Sequence, residues 1–321
     1  MIDVLAVGEI LIDFTENGLS GQSNKVFEAN PGGAPANVLA ALNKHGKKGA
    51  LVAKVGNDGF GRILLSALKE AGVDSSFVAV DDTSLTTLAF VQTFDGGERE
   101  FSFYRDRTAD VMLNRSDIPL DVVKDSRIIH FGSVSLSSDP ARDAVHYMIE
   151  EAFKEGRFIS FDPNYRPFLW HDEAEAKREV FWGISRSTLL KIADNEIEWL
   201  LGTTDYEEGA ARLLSDYPDL KGITVTLGGD GSFLMTRKEL VKVPTFMEVK
   251  PIEKTGAGDT FFGTFLLSVL DNGLSLPEGN DAKFALRRAN AAATIITTKK
   301  GALKVMPERK EVEDLMERYP L

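Results

Sequence analysis

Apolar, strand-like runs alternate with amphipathic helical segments along nearly the whole chain of 321 residues, and this alternation constrains the possible folds most strongly. The strand-like runs lie at 4–7, 50–55, 77–80, 128–131, 158–161, 189–193 and 223–227. The helical segments lie at 35–44, 60–71, 141–154, 173–184, 207–214, 260–270 and 282–297. Because such alternation forms βαβ units, the sequence predicts an α/β fold with a doubly wound, mostly parallel sheet. Ligands of such sheets bind at the carboxyl ends of the strands.

Two segments interrupt the alternation and predict a small inserted β-sheet. Residues 86–94 and 98–105 are both strand-like, and Asp-Gly-Gly at 95–97 between them is typical of a hairpin turn. Residues 12–16, continuing toward Phe27, are strand-like as well. We therefore predict a single domain over 1–321, with inserted segments at about 12–30 and 86–106. The inserted sheet is either a decorated edge of the α/β body or a lid over its ligand site.

Composition narrows the functional classes. The chain has no cysteine, which excludes disulfides, thiolate metal sites and a cysteine nucleophile. Its four histidines lack the spacing of metal ligands, and its net charge of −12 disfavours nucleic acid and anionic membranes as partners. No apolar run reaches the roughly 20 residues that span a bilayer. Since no basic segment precedes the first strand-like run, we expect a cytoplasmic protein without a signal peptide.

The run Thr-Gly-Ala-Gly-Asp at 255–259 leads directly into an apolar helix. Its small residues let the backbone approach a ligand closely, and the free N–H groups of a first helical turn form an anion site. Asp259 could serve simply as the helix N-cap. An N-cap needs no glycines before it, however, and a carboxylate beside an anion site suits deprotonation of a hydroxyl during phosphoryl transfer. We therefore favour Asp259 as a catalytic base.

A second glycine turn, Gly32-Gly33, also begins a helix. Asn37 in that helix offers a donor and an acceptor to a polyol, although the same pattern fits an ordinary turn with Pro35 at an early helical position. Asp13 follows the first strand-like run, where a carboxylate can accept two sugar hydroxyls or lie in a solvated turn. The residues alone leave both alternatives open.

Two common nucleotide-binding motifs are missing from the sequence. There is no G-x-x-x-x-G-K-[ST], which excludes a P-loop enzyme. The glycine-rich run at 56–61 follows a strand and opens a helix, but its spacing is not G-x-G-x-x-G. A dinucleotide oxidoreductase is therefore disfavoured.

The two glycine motifs together resemble the signatures of the ribokinase, or PfkB-type, family of carbohydrate kinases, and the likeness extends from Val4 to about Pro307. Within that family the chain is most similar to bacterial fructokinases. The runs that carry this likeness lie at 8–14, 103–105, 109–110, 130–133, 162–167 and 169–170. The resemblance implies a ribokinase-like fold and transfer of the γ-phosphoryl group of ATP to a primary hydroxyl of a small sugar, fructose first.

The resemblance also implies roles for individual residues. Asp259 would be the base, and the backbone N–H groups of Gly256, Ala257 and Gly258 would form the anion hole. Residues that would contact the sugar are Asp13, Gly32, Gly33, Asn37 and, from the lid, Arg105. Asn164 and Arg166 would contact phosphate or substrate, or else form a turn and a structural salt bridge. Residues that would bind the nucleotide are Asn195, Thr226, Gly228, Gly231 and Asn290, and Glu198 would order Mg²⁺ through water.

Two positions depart from the family pattern. The family usually has Asp-Thr before Thr-Gly-Ala-Gly-Asp, whereas this chain has Glu253-Lys254. Because that Asp commonly supports a monovalent-cation site, K⁺ activation is left open. Leu39 stands where the first signature prefers a small residue, which would affect packing.

Two rival interpretations remain. A 2-keto-3-deoxygluconate kinase shares the Asp-x-Asn-x-Arg run and uses arginines for a carboxylate. From a different class, a non-catalytic sugar-binding protein could have the same fold, although Asp259 and its glycines argue against it. We expect ATP and a small-molecule sugar as ligands, and a homodimer formed through the lid.

Overall fold

The fold is described from a computed structural model that covers residues 1–93 and 99–320. Its strands are β1 (Val4–Val7), β2 (Leu11–Leu19), β3 (Lys25–Gly32), β4 (Gly49–Gly56), β5 (Val78–Asp81), β6 (Leu88–Thr93), β7 (Arg99–Tyr104), β8 (Ile128–Gly132), β9 (Phe158–Asp162), β10 (Leu189–Ala193), β11 (Gly222–Thr226), β12 (Ser232–Thr236) and β13 (Leu240–Val243). Its helices are α1 (Ala34–Asn43), α2 (Gly59–Glu70), α3 (Leu120–Asp125), α4 (Ala141–Lys154), α5 (Glu173–Ser185), α6 (Asp194–Leu201), α7 (Tyr206–Asp216), α8 (Ala257–Asp271), α9 (Gly279–Ile296) and α10 (Arg309–Arg318).

The larger sheet confirms the predicted doubly wound α/β fold. In the part of the chain that the structure describes it has nine strands, in the order β13-β12-β11-β10-β9-β8-β1-β4-β5. The seven strands from β11 to β5 pair in parallel, and the edge strands β12 and β13 are antiparallel. The strand order reverses at β1, which lies between β8 and β4. The carboxyl end of β1 therefore opens onto the crevice where such sheets bind ligands.

Successive side chains of a strand point to opposite faces of the sheet, so alternate residues of each central strand pack into the two hydrophobic cores on either side. In β1, Val4 and Ala6 pack on the face covered by α1, α2, α8 and α9, whereas Leu5 and Val7 pack on the face covered by α4, α5 and α7. All four side chains are almost completely buried. The helices on both faces explain why these strands are continuously apolar instead of alternating.

The packing of α1 against α8 positions the site most directly. A Cβ atom on Gly263 of α8 would lie only 2.5 Å from the carbonyl oxygen of Val38 and 2.9 Å from Cβ of Ala41 in α1. The glycine thus lets the two helix backbones come into contact. Their first turns consequently meet beside the carboxyl end of β1.

The inserted segments form a second sheet, which we call the lid. Its order is β3-β2-β6-β7, with β2 parallel to β6 and the other pairs antiparallel. Phe14 of β2 stacks on Phe90 of β6 with ring centroids 4.7 Å apart and contacts the edge of Phe60 in α2 at 5.6 Å. Aromatic packing therefore joins the lid to the α/β body. The predicted hairpin turn at 95–97, together with Phe94 and Glu98, lies outside the described residues.

Among residues 1–93 and 99–320, no helix has both the length and the apolar character that a membrane crossing requires.

Candidate active site

Asp259 lies in the first turn of α8, with its carboxylate toward α1. The N-cap position is occupied by Gly256, so Asp259 is not the N-cap of its helix. Oδ2 of Asp259 accepts a 2.8 Å hydrogen bond from Nδ2 of Asn37, and Oδ1 accepts a longer one, 3.5 Å, from Nδ2 of Asn164. Burial raises the pKa of Asp259, while the Asn37 hydrogen bond and the charges of Lys191 and Arg166 oppose the rise. Two amides therefore hold a buried and basic carboxylate in place.

The glycines before Asp259 lie close to neighbouring atoms. Gly256 has a left-handed backbone with φ 75°, and a Cβ there would lie 2.8 Å from Cβ of Ala302. A Cβ on Gly258 would lie 2.9 Å from Nζ of Lys191. Ala257, between them, is the first helical residue, and its N–H makes only a long 3.3 Å bond to the carbonyl of Lys254. These three residues present the positive end of the α8 dipole next to Asp259.

The first glycine turn joins β3 to α1, next to Asp13 of β2. A Cβ on Gly32 would lie 2.6 Å from Oδ2 of Asp13, and a Cβ on Gly33, where φ is 128°, would lie 2.5 Å from the carbonyl oxygen of Glu9. The absence of side chains leaves room for the Asp13 carboxylate. Burial raises the pKa of Asp13 to about 7, although Arg166 lowers it. Oδ1 of Asn37 is buried without a hydrogen-bond partner among the described residues, so it is free to accept from a hydroxyl.

Asn164 reaches Asp259 from the turn after β9. Its backbone is left-handed, with φ 44°, which Asn tolerates better than most residues. Its N–H donates a 3.2 Å bond to Oδ1 of Asp162 and so fixes the turn. The neighbouring Arg166 is exposed, and its guanidinium lowers the pKa values of both Asp13 and Asp259. The structure thus places Asn164 and Arg166 at the crevice with Asp259, Asn37 and Asp13.

Arg105 is held in place by the protein. Its Nε donates a 2.7 Å bond to Oδ2 of Asp110 and its Nη1 donates a 2.7 Å bond to Oγ of Ser137. Nη2 is buried and has no hydrogen-bond partner in the described part of the chain. Arg105 also faces Glu9, whose pKa burial raises to about 7 and Arg105 partly lowers. Only one edge of the guanidinium is therefore free for a ligand.

The predicted nucleotide residues lie at the carboxyl ends of β10 and β11. Thr226 ends β11, and Gly228 and Gly231 shape the following turn with φ values of 54° and 100°. Asn290 is buried in α9, where its Nδ2 donates to the carbonyls of Val243 and Pro244 and its Oδ1 accepts from Ser232. Asn290 therefore shapes this region through protein contacts instead of presenting a free amide.

The acidic segment after β10 is a true helix, α6. Asn195 and Glu198 are exposed on it, whereas Glu196 is buried. Oε1 of Glu196 accepts from the N–H of Tyr165 at 2.7 Å and Oε2 from that of Ala193 at 2.8 Å. Glu196 thus ties the turn after β9 to the end of β10, a role that the sequence did not reveal.

Sequence reasoning also missed Lys191, which ion-pairs with Asp162 behind the glycines of α8. The signal was present, because Lys191 is a charged residue inside the apolar strand Leu-Leu-Lys-Ile-Ala. A charge in a buried strand requires a partner.

Comparison with known proteins shows a likeness over nearly the whole chain. The family model described as pfkB family carbohydrate kinase matches residues 1–309. Probable fructokinase-2 of Arabidopsis thaliana is 38% identical over 306 residues, which cover 95% of this chain and 92% of that relative. The crystal structure of fructokinase with bound ATP from Xylella fastidiosa superposes with a TM-score of 0.90 at 29% identity, over 98% of each chain. A double mutant of the Vibrio cholerae O395 fructokinase, solved with fructose, ADP and potassium ion, gives 0.85 at 30% identity, also over 98% of each chain.

Proposed function

The chain belongs to the pfkB family of carbohydrate kinases and is therefore a phosphotransferase that acts on a sugar hydroxyl; within this family we propose that it is an ATP-dependent fructokinase. One observation carries the proposal for the chemistry. The buried Asp259 lies at the N-terminus of α8 and shares the crevice with Asp13 and Asn37. The crevice thus combines a base, an anion site at the N-terminus of α8, and two side chains that can hydrogen-bond to sugar hydroxyls. The fructokinases among its relatives point to the sugar.

In the proposed reaction, Asp259 takes the proton of a primary hydroxyl as that oxygen bonds to the γ-phosphorus of ATP. The bond from the γ-phosphorus to the bridging oxygen breaks, and ADP leaves. The N–H groups of Gly256, Ala257 and Gly258 would stabilise the charge on the transferring group, since a helix N-terminus favours anions. Burial raises the pKa of Asp259, which makes the carboxylate a better proton acceptor.

Asp13, Asn37 and Arg105 would orient the sugar. Oδ1 of Asn37 and Nη2 of Arg105 are buried and unpaired among the described residues, so each has hydrogen-bonding capacity for a hydroxyl. Leaving such groups unpaired is costly, and a sugar that pairs them is therefore selected over one that does not. Gly32 and Gly33 would allow the sugar to approach the backbone, and Asn164 would hold Asp259 in position.

The geometry of Arg105 favours a neutral sugar over a keto acid. A kinase for 2-keto-3-deoxygluconate needs net positive charge for the substrate carboxylate. Here Asp110 lies 2.7 Å from Arg105 in a buried ion pair, so most of that charge is already neutralised. Arg166 remains near the crevice, but it faces Asp13 and Asp259.

Mg²⁺ would be held mainly by phosphate and water. In residues 1–93 and 99–320, no three His, Asp or Glu side chains converge on a metal-sized site. Mg²⁺ generally keeps several waters and binds substrate phosphates. The exposed Glu198 would order one such water. The nucleotide would lie at the turn formed by Thr226, Gly228 and Gly231.

Glu253, at the position of the family's cation-supporting Asp, is hydrogen-bonded within the protein. Oε1 of Glu253 accepts a 2.7 Å bond from Oγ of Thr255, and Oε2 accepts a 3.2 Å bond from the N–H of Gly301. The carboxylate thus links the segments of Thr255 and Gly301.

The lid would close over the sugar and form a homodimer. Leu19 and Tyr104 of the lid expose 65% and 64% of their surface, and Val26 exposes 38%. A second lid could cover such side chains. Sedimentation velocity should give twice the 35.2 kDa mass of the chain, and Tyr104→Glu should yield monomers. A monomeric wild type would refute this dimer without affecting the kinase.

A coupled assay of ADP release tests the function itself. Fructose should have a higher kcat/KM than glucose and 2-keto-3-deoxygluconate, because the site discriminates by hydroxyls that it can pair. A preference for the keto acid would replace fructokinase by the rival family member. Sugar binding without any ADP release would instead indicate a non-catalytic binding protein.

A further inference from the structure

Lys191 is a buried cation outside the residues that take part in the proposed reaction. It lies in the middle of β10 with only 5% of its surface exposed. Its Nζ lies 3.1 Å from Oδ1 and 3.0 Å from Oδ2 of Asp162, at the end of β9. Burial lowers the pKa of Lys191, whereas the carboxylates of Asp162 and Glu196 raise it. The second effect is larger, so the pKa lies above its ordinary value. Lys191 is therefore charged.

The ammonium group lies directly behind the glycines of α8. A Cβ on Gly258 would come within 2.9 Å of Nζ, so no side chain separates the cation from the first turn of the helix. The partner of Lys191 is also connected to the base. Asp162 accepts the N–H of Asn164, and Nδ2 of Asn164 donates to Asp259. A chain of contacts thus runs from Lys191 through Asp162 and Asn164 to Asp259.

We propose that Lys191 is a positioning residue for phosphoryl transfer, whose charge behind Gly258 favours the anionic groups that meet at the N-terminus of α8. The proposal rests on the function proposed above. Its two effects are to keep Asp259 ionised before the proton moves and to stabilise negative charge on the transferring group. Asp162 holds the ammonium in place and sets the turn of Asn164.

The charges around Asp259 show why this cation matters. The titratable groups that face Asp259 from the neighbouring elements are Asp13, Asp162, Arg166, Lys191 and Glu196. Burial raises the pKa values of Asp13 and Asp162 to about 7. Arg166 is exposed and screened by water, so Lys191 is the buried cation of this group. An opposite charge near a carboxylate lowers its pKa by about 1–3 units. Without Lys191, Asp259 would face mainly carboxylates in a site of low dielectric.

A merely structural ion pair is the competing explanation, and the chain offers a matched control. Lys54 is also buried, with 8% exposed, and its Nζ lies 2.6 Å from Oδ2 of Asp117. Nζ of Lys54 also donates to the carbonyl of Met112, and neither Asp117 nor Met112 is a predicted site residue. Lys54→Met therefore removes a similar buried ammonium without changing the charge near Asp259.

The experiment measures kcat and kcat/KM for fructose against pH in wild type, Lys191→Met and Lys54→Met. We expect Lys191→Met to move the acidic limb of the kcat/KM profile upward by about one pH unit and to lower kcat by about tenfold or more. The KM for fructose should change little, because the ammonium of Lys191 is paired with Asp162 behind Gly258 and is not among the groups proposed to bind the sugar. Lys54→Met should lower the Tm but keep the acidic limb and kcat. If Lys191→Met matched Lys54→Met in both rate and profile, the inference would be overturned.

Two further variants keep the test decisive. The double variant Asp162→Asn/Lys191→Met removes both charges of the pair, so it should fold even if Lys191→Met does not. Its kcat should still be low, and the acidic limb of its kcat/KM profile should still be shifted upward, because the cation is absent. If the double variant regained the wild-type kcat and pH profile together with the wild-type Tm, the ion pair would be merely structural and the inference would be overturned.

The variant Asp259→Asn distinguishes a failure of the proposed base from a failure of the inference about Lys191. If it retained turnover, the proposed base would fail and this inference with it; if it were inactive while Lys191→Met kept the wild-type profile, the inference alone would fail.

Discussion

Gly263→Ala should damage catalysis more than stability. The new Cβ would lie 2.5 Å from the carbonyl oxygen of Val38, whereas ordinary contacts begin at 3.4 Å, so α1 and α8 must separate by the difference, 0.9 Å. If the first turns move by the same amount, the 2.8 Å bond between Asn37 and Asp259 lengthens to about 3.7 Å, beyond hydrogen-bond range. Displacing a catalytic group by about 1 Å can cost about 10² in rate, and we expect kcat to fall by about that factor.

The cost in stability should be smaller. Overpacking costs about 1–3 kcal/mol, and replacing Gly by Ala inside a helix returns about 1 kcal/mol, so the net loss should be about 1 kcal/mol. Denaturant unfolding and steady-state kinetics at a temperature where the variant stays folded separate the two effects. Gly59→Ala is the matched control, because that helical glycine is exposed with no atom within 4 Å of the added Cβ, and its kcat should not change. A folded Gly263→Ala protein with wild-type kcat would refute the claim that close packing of α1 and α8 holds the base.

Two other predictions follow from the titration of a buried acid and from the lid. The folded-state pKa of Glu9, about 7, exceeds its ordinary value of 4.5, so the stability from keeping Glu9 protonated is complete below about pH 4.5 and is lost as the pH rises through 7. The wild type should therefore lose stability relative to Glu9→Gln as the pH rises, so the Tm difference (variant minus wild type) should increase between pH 5 and pH 8. A difference that does not change with pH would contradict the raised pKa of Glu9. Amide exchange in β6 and β7 should slow on addition of fructose, whereas exchange in α4 should not change; protection that appears only outside the lid would rule out closure.

The sequence predicted the main sheet because its signal is local. Apolar runs long enough for buried strands alternate with helical periodicity, and each of the fourteen segments predicted from that alternation appears with ends shifted by at most three residues. β12 and β13 were not predicted, because they form antiparallel edge strands after β11 and carry no βαβ pattern. α10 was missed as well, since it is mostly exposed and packs chiefly through Val312.

The candidate site was predictable where glycines and acids share a motif, and less so where contacts join distant elements. Gly256 and Gly258 predicted that the backbone packs closely against other atoms, and in the structure those atoms belong to Ala302 and Lys191. The contact between Asn37 and Asp259 joins residues 222 positions apart, and no local pattern encodes it. Lys191 interrupts an apolar strand, and only the structure identifies Asp162 as its partner. Partners of this kind depend on strand order, which a single sequence does not specify.

The turnover of Asp259→Asn measured in a single cycle, with enzyme in excess over ATP and with saturating fructose, tests the central claim most directly. The substitution keeps the size of the side chain and a hydrogen-bonding oxygen for Asn37 but removes the proton acceptor. The rate of phosphoryl transfer should fall by roughly 10²–10⁴, while the affinities for fructose and ATP change little. A variant that transferred the phosphoryl group at the wild-type rate, under conditions where chemistry limits that rate, would contradict the assignment of Asp259 as the base.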